Sequence, residues 1–147
     1  MFGDSTILTH LDNNVAGDVE AFAVNATSSG SLAHLSVYLD SPVPSSLAVG
    51  LYSDGGTAPA TLVASKSLST LASGWNSFDL GPVALTAGAR YWVALLVPSG
   101  ATGVVNFRDG HTGPSAFYGG HGLSALPPVW PGGSTSNDGP ASSYGTT

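Results

Sequence analysis

The side chains in this 147-residue sequence with the chemistry for proton transfer, nucleophilic attack or metal binding are mainly four histidines, nine carboxylates and many serines. Cysteine is absent, which removes thiolate nucleophiles, thiolate metal sites and disulfides together, and leaves the redox compartment open. His10, His34, His111 and His121 show no His-x-x-x-His or related spacing, so local spacing predicts no zinc centre. No serine lies in a Gly-x-Ser-x-Gly elbow, and scattered Ser, His and Asp residues are expected by chance in a Ser-rich chain. A glycosidase needs two facing carboxylates. Glu20 is the only glutamate, and most aspartates sit in turn-like contexts where Asp favours backbone capping. The sequence therefore predicts a protein that is not an enzyme.

Two kinds of binding chemistry remain. Calcium is held by several loop oxygens, and Asp12, Asn13, Asn14 and Asp18, or Asp54 with neighbouring carbonyls, are the residues that offer them. Turn capping is the simpler role for these carboxylates, so calcium is the one cofactor expected if there is any. Sugar recognition sets a flat aromatic ring against the apolar face of a pyranose, beside hydrogen-bonding groups. Trp75, which follows Gly74 in a turn, and Phe117 and Tyr118, in a Gly-rich stretch, are the aromatics expected at the surface, whereas Trp92 and Trp130 read as core. Arg90 and Arg108, near Asp109 and Asp79, are expected to brace the domain as ion pairs rather than to bind a ligand.

The elements that must position these residues are short strands. Gly88 to Val97 is a continuous apolar run between Gly88 and Pro98-Ser99-Gly100, and reads as a central strand buried on both faces. Tyr91, Val93, Leu95 and Val97 point one way, and Trp92, Ala94 and Leu96 the other. Before it, Val19–Ala26, Ser31–Leu39, Leu47–Ser53, Thr61–Ser67, Gly74–Leu80 and Val83–Thr86 read as strands, with Val104–Arg108 after it. Within Leu47–Ser53, Gly50 marks a place where another group comes close. Asp4 to Asp18 reads as polar and turn-like, with room for a short strand at Thr6–Leu8 and a loop at Asp12-Asn13-Asn14. His111 to Leu123 reads as a long ordered loop, and Trp130 as a plug closing a gap in the core. No amphipathic helix is visible. The pattern predicts an all-β, antiparallel, jelly-roll-like sandwich of roughly eight strands over residues 1–130, with a Gly/Ser-rich arm at 131–147.

Composition bounds the partners. Only 8% of residues are charged, against roughly a quarter in ordinary soluble domains. The net charge is −6, and Lys66, Arg90 and Arg108 are the only strong bases. Neutralising phosphates needs a basic cluster, so nucleic acid is not an expected partner. No apolar run reaches the roughly 20 residues of a membrane span, and the first residues show no signal peptide. A soluble protein is expected. If it acts outside a cell, it arrives by a route other than a leader of its own or is cut from a longer chain.

Several segments, taken in order, resemble a recurring bacterial and phage β-sandwich module. They are Leu35-Ser36-Val37-Tyr38-Leu39, Val49-Gly50-Leu51-Tyr52-Ser53-Asp54, Thr61 to Ser65, Gly74-Trp75-Asn76, and Thr86-Ala87-Gly88 leading into Tyr91 to Leu95. Asn106-Phe107-Arg108-Asp109, Leu123 to Trp130, and Gly139-Pro140 through Tyr144-Gly145 extend the resemblance over nearly the whole chain. Modules of this kind often carry a cysteine pair after the Phe-Arg-Asp motif; here His111 to Gly122 has none. The resemblance implies a non-catalytic accessory domain, attached to secreted carbohydrate-active or adhesive proteins or standing among phage structural proteins. It leads to the expectation of a virion-surface protein, a capsid decoration or appendage subunit that docks on a lattice as a dimer or trimer. The alternative is a carbohydrate-binding module acting on polysaccharide outside the cell.

Overall fold

The computed structural model describes all 147 residues and contains strands and no helix. The strands are β1 (Phe2–Gly3), β2 (His10–Val15), β3 (Val19–Asn25), β4 (Gly30–Leu39), β5 (Leu47–Asp54), β6 (Pro59–Leu68), β7 (Gly74–Leu85), β8 (Arg90–Leu96), β9 (Val104–Tyr118), β10 (Ser134–Ala141) and β11 (Ser143–Thr146). All pairings are antiparallel. They follow the order β1-β11-β4-β9-β3-β8-β5-β6, with β7 on β4 and both β2 and β10 on β9. The sheet folds over on itself as an antiparallel β-sandwich. Its eleven strands exceed the roughly eight expected: β1, β2, β10 and β11 add four near the ends, while the two strands expected at Gly74–Leu80 and Val83–Thr86 are one, β7.

β8 lies between β3 and β5, with Val93 opposite both Phe22 and Leu51. As its alternation requires, Val93, Leu95 and Val97 enter a 20-residue inter-sheet core with Phe22, Leu35, Val37, Leu51, Phe78 and Phe107. Trp92, Ala94 and Leu96 enter a second core on the other face, with Tyr52, Leu126 and Trp130. Leu126 to Trp130 covers that face, as expected of Trp130. Tyr52 donates its hydroxyl to the carbonyl of Pro127 at 2.7 Å, and Thr61 bridges to Val129. Under this cover, a Cβ on Gly50 would lie 2.5 Å from Leu126 Cδ1, so the glycine admits the close approach.

β9 joins the two layers. Its first part pairs with β2 and touches β4 at Leu39–Phe107, whereas its second part pairs with β3 and β10. Strands that pass between sheets do so at bends or bulges. Here Gly110, His111 and Thr112 lie between the Asp109–Ala141 and Gly113–Gly139 pairs, opposite only Pro140, which has no N–H for the ladder.

Four further expectations are corrected. Asp12-Asn13-Asn14 is not a loop but the middle of β2, an edge strand whose exposed face tolerates polar residues. The Thr6–Leu8 strand does not form; Leu8 is instead tied by its N–H to Ser142 Oγ at 2.9 Å. His111 to Tyr118 continues β9 instead of forming a loop, and the 131–147 arm forms β10 and β11, because glycines and serines without a hydrophobic pattern still pair along a neighbour's free edge.

Candidate functional site

The outer face of the β7-β4-β11 layer carries an aromatic cluster. Successive residues of a strand point to opposite faces, so burying Leu35, Val37 and Leu39 turns Ser36 and Tyr38 outward. Register sets Trp75 of β7 opposite Tyr38 and Tyr144 of β11 opposite Ser36, and the small serine lets the larger rings meet. Trp75 packs edge-to-face against Tyr38 at 5.5 Å and against Tyr144 at 5.0 Å between ring centroids. All three rings are partly buried, each with part of its surface open to solvent. Arg108 Cζ lies 5.9 Å from the Tyr38 ring centroid, and its guanidinium holds Asp40 through Nε (2.6 Å) and Nη2 (3.1 Å). Beside this pair runs a polar groove of about 400 Å³ lined by Leu11, Asp12, Asn13, Ser41 and Asn106 together with Asp40 and Arg108.

Arg108 therefore braces the domain as expected, but through Asp40 rather than Asp109. Arg90 forms no ion pair and donates to the carbonyl of Gly56 at 3.3 Å. Phe117 and Tyr118 do not join Trp75. They lie at the far end of β9, where the Tyr118 ring stacks on His121 at 4.1 Å.

The calcium set does not converge either. Asp12 Oδ1 accepts from the Asn13 N–H, Asp18 Oδ1 from the Gly120 N–H, and Asp54 Oδ1 from both Trp92 Nε1 and the Gly56 N–H. Each carboxylate is engaged separately, Asp12 and Asp54 in part by a near neighbour and Asp18 and Asp54 by residues of distant segments, and no two of the three share a donor. The only group of three or more histidines and carboxylates with ligand atoms in mutual reach is His10, Asp109 and His111.

That group forms where β9 bends. Register places His10 of β2 opposite Asp109, and the bend brings His111 back over the same carboxylate. His10 Nδ1 lies 2.7 Å and His111 Nε2 3.1 Å from Asp109 Oδ1, and the two ring nitrogens are 2.8 Å apart. Asp109 is fully buried and its Oδ2 has no hydrogen-bond partner, while both imidazoles are about half exposed. Burial pushes the Asp109 carboxyl above its usual range, opposed by the hydrogen bond from His10 and the charges of both histidines. His111 has the only positive φ outside glycine, 53°. Nearby, buried Glu20 accepts from Asn14 Nδ2 at 2.9 Å. Its carboxyl is pushed up to about 7, mainly by burial and further by Asp12, Asp138 and Asp109. Spacing along the chain could not reveal this cluster, because 99 residues separate His10 from Asp109 and only strand register joins them.

Compared with family models, curated proteins and solved structures, the chain matches none. What it can do chemically is then read from its two polar surfaces. The aromatic face offers rings, one cation and one carboxylate; the bend of β9 offers converging nitrogen and oxygen ligands.

Proposed function

We propose that this domain is a non-catalytic, adhesive binding module that holds a polysaccharide across its outer face. The observation that carries the reading is the partly exposed Trp75, set between Tyr38 and Tyr144 and followed by the Arg108–Asp40 pair and the groove beyond. An aromatic ring contributes apolar contact to the C–H face of a pyranose, and the fixed guanidinium and carboxylate supply donors and acceptors for its hydroxyls. With a net charge of −6 and three strong bases in all, a neutral polysaccharide suits this face better than an acidic one.

The test is affinity electrophoresis of the full chain through gels containing a panel of neutral polysaccharides. At least one should retard the protein, and Trp75→Ala should weaken that retardation about tenfold, the scale of one aromatic contact, with little change in melting temperature. Unchanged retardation of the variant, or free migration in every gel, contradicts the proposal.

A second reading, a virion-surface subunit assembling as a dimer or trimer on a lattice, draws on a different observation. Ile7, Leu11 and Val15, on and just before edge strand β2, are 45%, 64% and 52% exposed. The chain ends themselves give it no support, since β1, β10 and β11 hold both ends within the sheet. Sedimentation of the purified protein separates the two: a stable dimer or trimer that Leu11→Ser dissociates favours the subunit reading, and a monomer favours the module.

A further inference from the structure

The three atoms that converge at the bend of β9 cannot satisfy one another with hydrogen bonds alone. Each ring nitrogen is either a donor or a lone pair. If both carry protons, both can donate to Asp109 Oδ1, but two N–H groups then face each other across 2.8 Å. If neither does, three lone pairs converge on one point. A single shared proton serves one edge of the triangle well and leaves the others strained.

On the other side of the His111 ring a second carboxylate stands behind the nitrogen turned away from the cluster, with Asp138 Oδ1 3.6 Å from Nδ1. A carboxylate behind the distal nitrogen is how metal-ligating histidines are commonly oriented.

The dimensions fit an ion. Metal–nitrogen and metal–oxygen bonds of roughly 2.0 to 2.1 Å put neighbouring ligands on an octahedral face about 2.9 Å apart, and tetrahedral ligands about 3.3 Å apart. The observed edges are 2.7, 2.8 and 3.1 Å. They match the face of an octahedron, the geometry of two histidines and one carboxylate that leaves positions open. The half-exposed imidazoles place those open positions towards solvent.

Charge and backbone agree with this. Asp138 stands beside His111, and Arg108, the nearest strong base in sequence, is engaged with Asp40. Asp109 is a buried carboxylate with one oxygen unpartnered, an arrangement that costs stability unless a cation compensates it. His111 holds its ring in place at a φ of 53°, where glycine or asparagine would be less strained. Such strain is found where the surrounding structure has a use for it.

We propose that His10 Nδ1, His111 Nε2 and Asp109 Oδ1 bind one divalent first-row transition ion, which clamps β2 onto the bend of β9. Mixed imidazole and carboxylate ligands suit zinc and its neighbours, whereas calcium requires an all-oxygen site. The site is independent of the aromatic face, so either can fail without the other.

The test is calorimetric titration of zinc into the full chain after treatment with a chelator and dialysis. One zinc should bind per chain, and excess calcium should not compete. His10→Gln and His111→Asn, the latter chosen because asparagine tolerates the left-handed backbone, should each weaken binding at least tenfold while melting like the parent protein in chelator. A double variant of His34 and His121 should bind as the parent does. In the parent protein, zinc should shift the imidazole NMR signals of His10 and His111 and leave those of His34 and His121 in place, a readout that needs no variant to fold. Absence of stoichiometric binding, parent-like affinity in either single variant, or shifts confined to His34 or His121 overturns the site.

Discussion

The inter-sheet core around β8 and the bend of β9 are built from the same antiparallel pairing, yet they are chemical opposites. The core gathers twenty buried apolar residues, Val93 and Leu95 of β8 among them. The bend gathers two imidazoles and a buried carboxylate, with a residue strained at positive φ. Packing of the first kind holds a fold together but offers nothing to a ligand. The second kind loses stability to desolvation and strain, and recovers it when something binds. The difference teaches where each property resides: stability in the layers, and the capacity for ligands at the seam where one strand passes between them.

Substitutions on the two sides sharpen this contrast. Leu95→Ala should have the largest effect, lowering stability by about 3 to 4 kcal/mol through lost burial and a residual cavity. Denaturant titration measures that loss, and the folded variant should keep the parent's zinc affinity.

Glu20 tests the border between the regions. It points into the inter-sheet layer from β3, opposite Leu95, yet feels the carboxylates near the bend. Its folded-state value of about 7 lies above its ordinary 4.5, so the folded protein keeps a proton that the unfolded chain releases. Stability should therefore fall as pH rises between those values and level off above them. The loss is at most about 3 kcal/mol, from 1.36 kcal/mol for each pH unit. Glu20→Gln still accepts from Asn14 and should remove this fall. Denaturant midpoints at pH 4 and pH 8 check it: the variant should gain on the parent only at the higher pH.

The layers were legible in the sequence because burial leaves a local mark. The Tyr91–Val97 alternation, the apolar inward positions of β4 and the close approach at Gly50 all follow from neighbours in the chain. β2 and β10 were not legible, since an edge strand faces solvent and needs no apolar pattern; Asp12-Asn13-Asn14 satisfies a ladder while looking like a turn. Trp75 was legible as a surface aromatic, but its partners Tyr38 and Tyr144 come from β4 and β11, and only register reveals them. His10, Asp109 and His111 lie at the extreme of the same difficulty, in a cluster made by a pairing across most of the chain and a bulge opposite Pro140.

Amide hydrogen exchange of the full chain, with and without one equivalent of zinc, tests the division of labour most directly. The slowest amides should be those of β8, unchanged by the ion, because they open only with the whole fold. The amides of His10–Val15 and of Arg108–Thr112 should exchange faster in chelator and slow on zinc addition. If β8 is among the fastest-opening strands, or if zinc protects the layers and leaves the bend unchanged, the account is wrong.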